Sequence, residues 1–217
     1  MTKSPLKEFF TPVILLLCFI LFTILVAVVD VAPIGPLNSE VGFSALNGAF
    51  SNLVGYNEMI YEISDYFGYL AIFSILVFFV MFVWIAIKKK SVFKVDRILW
   101  LYGFFMAFVL LLYVLFEFVS LNMRPVLIDG ELEASYPSSH VLLSACALYF
   151  ATQVIPYFIK NRSTVLYLNI LLSVIALMTS ALRTISGVHW ITDIIGSLIL
   201  SLFVITLFDS VKNKFKI

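Results

Sequence analysis

The chain has 217 residues, of which 62% are hydrophobic and only 12% are charged. Soluble domains are about 45–50% apolar, so this composition excludes an ordinary soluble protein. A helix needs about 20 residues to cross the ~30 Å hydrocarbon layer, and several apolar segments are that long. We predict a single membrane domain, residues 1–217. The net charge is +1 and the basic residues stand in short clusters, so we expect no nucleic-acid partner.

The predicted elements, in chain order, begin with a membrane span at about 12–29. A short amphipathic helix in the membrane interface follows at about 40–54, where apolar residues recur at helical spacing. The alternative for that segment is an ordered loop. Five further spans are predicted at about 67–87, 98–121, 138–159, 164–182 and 189–208. The fold class is therefore all-α, a bundle of six transmembrane helices.

The distribution of basic residues predicts the orientation. Of the 14 Lys and Arg residues, all except Arg124 and Arg183 fall on one side of this six-span topology. Cytoplasmic loops are enriched in Lys and Arg, which assigns that side, with both termini, to the cytoplasm. The loops at 30–66, 122–138 and 183–188 then lie outside the cell membrane.

The outer side also carries the two histidines of the chain, His140 and His189. Guanidinium groups match phosphate oxygens with paired donors, and imidazole exchanges protons near neutral pH. Two Arg and two His therefore indicate an anion site with acid–base groups beside it. The alternative for either Arg alone is a side chain that reaches out to lipid headgroups.

His189 and Asp193 are four residues apart at the outer end of the sixth span, so we predict that they share one helical face. A carboxylate beside an imidazole fixes its tautomer and raises its basicity. The alternative is a structural hydrogen bond that ties helices together.

His140 follows Pro137, Ser138 and Ser139 at the start of the fourth span. The free N–H groups and the positive dipole end of a helix N-terminus favour phosphate binding. Either serine could simply cap the helix, which is compatible with phosphate binding.

Three short motifs resemble the signature motifs of the type-two phosphatidic acid phosphatase superfamily. They are Arg124-Pro125, Pro137-Ser138-Ser139-His140 and Arg183-x5-His189-x3-Asp193. The resemblance covers about residues 98–210, which we take as the catalytic core. It implies a helical bundle with an outward-facing phosphate site at the ends of spans three to six.

The chain departs from the family pattern at three positions. Glu117 stands where the first motif has Lys, Ser139 where the second has Gly, and Leu182 where the third has Ser. Glu117 and Arg124 are about two helical turns apart, so we predict that Glu117 pairs with Arg124 or Arg183. The alternative is that Glu117 faces a polar gap and has no catalytic role.

The resemblance also implies a role for each site residue. His189 attacks phosphorus and becomes a phosphohistidine, Asp193 orients it, and His140 serves as acid and then base. The phosphate ligands are Arg124, Arg183, Ser138 and Ser139. No metal and no cofactor is expected, and the sequence has no Asp, His and Cys cluster with metal-site spacing.

The implied function is hydrolysis of a membrane lipid phosphate, such as undecaprenyl pyrophosphate, phosphatidate or phosphatidylglycerol phosphate. The headgroup enters the site while the acyl or prenyl chain stays between helices, so the partners are this substrate and membrane lipids. One alternative is a lipid phosphotransferase on the same scaffold. Another is a non-catalytic protein that binds lipid phosphates.

Overall fold

A computed structural model describes residues 8–217, whose regular secondary structure is helical apart from isolated β-bridges. The α-helices in chain order are α1 (Phe10–Val28), α2 (Ser44–Val54), α3 (Glu58–Lys88), α4 (Arg97–Val119), α5 (Ser139–Phe158), α6 (Arg162–Ile185) and α7 (Ile191–Lys214). Two short 3₁₀ turns, Pro36–Asn38 and Val92–Lys94, lie in the connections.

Every helix except α2 is long and apolar enough to cross a membrane. This confirms the six predicted spans, and the chain is a multi-pass membrane protein. The segment at 44–54 is a helix and not an irregular loop, as predicted. The Asn47 side chain anchors it by donating to the Gly42 carbonyl at 2.7 Å and to Thr192 Oγ1 at 2.9 Å.

The second span is predicted to begin near residue 67, and the helix that contains it begins about two and a half turns earlier. Helix α3 begins at Glu58 and runs for 31 residues, about 46 Å at the α-helical rise, which exceeds the ~30 Å hydrocarbon layer. The acidic residues in its first turns lower the local hydropathy, so hydropathy alone does not indicate that the helix extends this far. Asn57 caps it, because its Oδ1 accepts from the Ile60 N–H at 3.0 Å.

Helices α5 and α7 form the centre of the bundle, since 56% of each apolar segment is buried, against 39% or less in the other spans. Lipid is as apolar as a protein core, so close packing holds such helices together. Phe150 and Phe208 stack with ring centroids 4.4 Å apart, and Phe105 of α4 packs edge-on against both. The N-termini of α5 and α7 therefore belong to the two most buried spans.

Candidate active site

His189 lies in the connection between α6 and α7, immediately before Trp190, the N-cap residue of α7. The prediction that His189 and Asp193 share one helical face is therefore wrong, because the helix begins only at Ile191. Gly187 has a φ of 70° and lies against Gly55, where any side chain would collide with the Gly55 carbonyl. This close approach fixes the path of the connection that carries His189.

Ser135 links His189 to Asp193. Its Oγ lies 2.9 Å from His189 Nδ1 and also donates to Asp193 Oδ2. The direct separation of Nδ1 and Oδ2 is 3.7 Å, too long for a hydrogen bond. Since the serine proton goes to the carboxylate, the serine oxygen accepts from Nδ1–H, and Nε2 keeps the lone pair. Asp193 thus orients His189 through Ser135, a residue that the motifs did not indicate.

Further donors hold the carboxylate of Asp193, which is fully buried. The Trp190 N–H donates to it at 2.9 Å and Asn122 Nδ2 at 3.3 Å. Asn122 also accepts from the Gly42 N–H at 3.3 Å, which connects the site to the segment before α2. A buried carboxylate with several donors is a rigid reference point for the imidazole.

Burial, with Arg124 and then Arg183 nearby, lowers the pKa of His189 well below its usual value. A lowered histidine pKa means that the ring stays neutral as the pH falls through about 6.5. The neutral ring carries the lone pair that a nucleophile needs.

Ser138 is the N-cap residue of α5, but its side chain makes no capping hydrogen bond. Its Oγ lies 3.1 Å from His189 Nε2 instead. The first N–H groups of α5 have no intrahelical partners either, so the positive end of the helix is open to an anion. Ser138 therefore faces His189 Nε2 and does not act as a simple cap.

Arg124 and both histidines line one cavity of about 230 Å³, together with Ser139 and Glu117. Arg124 is held at one nitrogen only, where its Nη2 lies 3.1 Å from Glu133 Oε2. Its Nε and Nη1 are buried and have no hydrogen-bond partner within residues 8–217. These two donors are available to an anion in the cavity.

Arg183 is fully buried near the end of α6, and its Nη2 pairs with Asp65 of α3. Its Nε and Nη1 have no partner in the described part of the chain. His140 Nε2 lies 3.3 Å from the same Asp65 oxygen, so Arg183 reaches His140 through that carboxylate. The sequence prediction missed Asp65 because it began this span two residues later.

The predicted ion pair of Glu117 with Arg124 or Arg183 is wrong. Within residues 8–217, Glu117 makes no ion pair, while Glu133 and Asp65 take the two arginines. The prediction assumed that the helix continues to Arg124, but α4 ends at Val119. The loop then folds back, and the Arg124 N–H donates to the Glu133 carbonyl at 2.9 Å. Glu117 is left exposed at the wall of the cavity.

The link through Ser135 predicts a specific kinetic defect. Ser135→Ala should lower kcat by roughly 10- to 100-fold with little change in KM, because Nδ1 loses its fixed partner but phosphate ligands remain. Steady-state kinetics of the variant would test this. Ser180→Ala is the matched control, since Ser180 Oγ donates within its own helix to the Ala176 carbonyl at 3.1 Å and lies away from the cavity. A Ser135→Ala enzyme with unchanged kcat would contradict the link.

A six-span bundle with this His, Ser, Asp and Arg cluster at one end defines a multi-pass membrane protein with a candidate anion site. Residues 100–216, more than half of the chain, match the family model of the PAP2 superfamily. The chain belongs to the PAP2 superfamily, which confirms the resemblance drawn from the three motifs.

Two proteins of Bacillus subtilis are similar to this chain. It is 31% identical over 90 residues to phosphatidylglycerophosphatase B of Bacillus subtilis (strain 168). That match covers 40% of this chain and 43% of the relative, less than half of its length. The crystal structure of a transmembrane PAP2 type phosphatidylglycerolphosphate phosphatase from Bacillus subtilis has the same fold. Its TM-score is 0.66 at 20% identity, over 94% of this chain and 97% of that one.

Proposed function

We propose that the protein is a membrane lipid phosphate phosphohydrolase that acts through a phosphohistidine at His189. The observation that carries the proposal is the setting of this imidazole. Its Nδ1 is held by Ser135, and burial keeps the ring neutral. His189 lines the same cavity as Arg124, whose Nε and Nη1 lack partners within residues 8–217.

The reaction would proceed in two displacements at phosphorus. His189 Nε2 forms a bond to phosphorus while the bond to the lipid oxygen breaks, and His140 gives that oxygen a proton. Water then attacks the phosphohistidine, His140 takes its proton, and the bond from Nε2 to phosphorus breaks. Free phosphate leaves and both histidines return to their starting states.

Phosphoryl transfer places negative charge on the non-bridging oxygens, so positioned donors supply much of the catalysis. The donors on this protein are the free edges of Arg124 and Arg183, the hydroxyls of Ser138 and Ser139, and the first N–H groups of α5. Ser138, Ser139 and these N–H groups stand at the N-terminus of the buried helix α5, whereas Arg124 is held by Glu133 and Arg183 by Asp65.

The surroundings of the cavity favour a lipid substrate. An apolar cavity of about 410 Å³ adjoins the phosphate cavity and shares Tyr113, Ser139, His140 and Leu142 with it. A further cavity of about 500 Å³ between α3 and α4 shares Ile75 and Leu110 with the second. A hydrocarbon chain could therefore extend from the phosphate site along these helices. Because of the Bacillus relatives, phosphatidylglycerol phosphate is our first candidate substrate, ahead of phosphatidate and undecaprenyl pyrophosphate.

The two apolar cavities predict that activity depends on the length of the substrate's hydrocarbon chain. Leu110→Trp, which fills the passage between the two apolar cavities, should lower kcat/KM about tenfold for long-chain lipid phosphates, since roughly two buried methylenes already contribute that factor. Dioctanoyl substrates should be little affected. Leu111→Trp is the control, because Leu111 is 64% exposed on the neighbouring face. Equal losses with both chain lengths would exclude this path.

The overall function is tested by phosphate release from purified protein. We expect free phosphate from a panel containing phosphatidylglycerol phosphate, phosphatidate and undecaprenyl pyrophosphate, with His189→Ala as the inactive control. Activity should persist in EDTA, because guanidinium groups and a helix N-terminus supply the positive charge. A phosphorylated acceptor in place of free phosphate would indicate a phosphotransferase. Binding of these lipid phosphates without any turnover would refute the proposal that the protein is an enzyme.

We also propose that the site faces the outside of the cell, with both termini in the cytoplasm. Among the described residues, the basic clusters lie at the end of the bundle away from the site; they are Lys88–Lys90, Lys94 and Arg97, Lys160 and Arg162, and Lys212, Lys214 and Lys216. Two other lysines of this prediction, Lys3 and Lys7, lie outside the described residues.

Cysteine labelling tests this orientation in intact cells. An impermeant maleimide should label Glu131→Cys, at the tip of the loop before α5, and should not label Val92→Cys between α3 and α4. Both variants belong in a background with Cys18 and Cys146 replaced by serine. The opposite labelling pattern would place the site in the cytoplasm.

A further inference from the structure

We infer that Asp65 of α3 is a positioning residue for the proposed reaction, acting through both His140 and Arg183. The inference rests on the proposed function, but it concerns a helix that lies outside the segment matching the family, residues 100–216. None of the three motifs includes α3. The role of Asp65 follows from contacts that only the folded chain creates.

One oxygen of Asp65 serves two partners. Its Oδ1 accepts from Arg183 Nη2 and lies 3.3 Å from His140 Nε2. Arg183 is fully buried, and Asp65 is its only carboxylate partner within the described residues. A buried guanidinium requires a counter-charge, so Asp65 determines where this side chain rests.

The face of α3 that carries Asp65 is shaped to hold these two side chains. Tyr61, Asp65 and Gly68 follow at spacings of four and three, which places them on one helical face. The Tyr61 ring centroid lies 4.9 Å from the Arg183 guanidinium carbon. Gly68 faces the His140 ring so closely that an added Cβ would lie 2.7 Å from Cδ2. This face of α3 therefore forms a binding surface for Arg183 and His140, made by the Tyr61 ring, the Asp65 carboxylate and the space left at Gly68.

The contact with Asp65 assigns a different role to each ring nitrogen of His140. Nε2 is directed to a carboxylate, which accepts and cannot donate while ionised, so Nε2 carries a proton. Nδ1 is buried and has no hydrogen-bond partner within residues 8–217. Nδ1 is therefore the nitrogen that exchanges a proton with the lipid oxygen and then with water. Carboxylates orient catalytic and metal-bound imidazoles by the same physical principle.

Three charged side chains act on His140. They are Asp65 from α3, Arg183 from α6 and Arg124 from the loop before α5. With Asp65 neutralised, His140 would lose its carboxylate partner and remain near two guanidinium groups. Both its orientation and its ability to hold a proton for the leaving oxygen would suffer.

The test compares two substrates that differ in their need for an acid. A lipid phosphate expels an alkoxide and requires protonation, whereas 4-nitrophenyl phosphate expels a stable phenolate. Asp65→Asn should lower kcat/KM for the lipid by roughly 100-fold and for the aryl phosphate by less than about 10-fold, since general acids contribute ~10²–10⁴-fold. Asp65→Glu should restore part of the lipid activity. Glu62→Gln, an exposed acid one turn earlier on α3, is the matched control.

Gly68→Ala offers a second variant that leaves the charge of Asp65 in place. The new methyl group should displace the His140 ring and lower the activity on dioctanoyl lipid phosphates more than on 4-nitrophenyl phosphate; short chains are used because Gly68 also lines the apolar cavity. Gly48→Ala in α2 is its control, because an added Cβ there meets only the Ile34 Cδ1 at 3.6 Å. Thermal unfolding of all variants separates a kinetic defect from loss of fold.

The outcomes separate this inference from the proposed function. Selective loss on the lipid in either variant, with unfolding temperature retained, supports the positioning role. Equal losses on both substrates, or wild-type rates in both variants, overturn it while leaving the phosphatase intact. A wild-type protein that releases phosphate from neither substrate refutes the proposed function itself.

Discussion

His189→Ala is expected to lower kcat by at least about 10⁴-fold, because removal of a catalytic nucleophile leaves only binding and electrostatic contributions. The wild-type enzyme should yield a phosphohistidine at position 189 when rapidly quenched at alkaline pH and analysed by mass spectrometry. The physical basis is a neutral, buried imidazole whose Nδ1 is held by Ser135, so that Nε2 is the reactive atom.

His140→Ala is the informative comparison for this experiment. It should still form the covalent intermediate from 4-nitrophenyl phosphate, since that leaving group needs little protonation, but should hydrolyse it slowly. A phosphohistidine that maps to position 140 would reverse the two roles. Undiminished turnover in His189→Ala would remove the proposed mechanism.

Arg124→Ala should lower kcat/KM by about 10²–10³-fold, the typical effect of removing one donor to a charged transition state. Its Nε and Nη1 are buried, lack partners in the described part of the chain and line the same cavity as His189. Arg124→Lys should restore little, because an ammonium cannot replace the paired donors of a guanidinium. Arg162→Ala, at the opposite end of the bundle, is the control.

A substitution at Glu117 tests how a positive charge in this cavity affects kcat/KM. Glu117→Lys in the Arg124→Ala background should recover up to roughly fivefold in kcat/KM, since a solvated charge contributes up to ~1 kcal/mol. The lysine would stand where the family pattern has one. If Arg124→Ala retains wild-type kcat/KM, Arg124 does not bind the phosphoryl group. The double variant then has no lost activity to restore.

The sequence alone determined the number of spans and the family, because both depend on local information. A run of apolar residues as long as a bilayer is thick must form a helix in lipid, since no water satisfies the backbone there. The three motifs are likewise recognised from residue types and their spacing along the chain, without any knowledge of the fold. The same local argument did not show that α3 extends beyond the apolar run, because Glu58, Glu62 and Asp65 are helical without being apolar.

The tertiary structure decided which side chains meet. Ser135 and His189 are 54 residues apart, and Asp65 and Arg183 are 118 apart, so no periodicity relates them. Glu117 was expected to pair along a continuous helix, but the chain turns back after Val119 and brings Glu133 to Arg124 instead. Buried charges take whichever partners the packing of α3, α5, α6 and α7 brings within reach, because leaving them unpaired in a low-dielectric interior is costly.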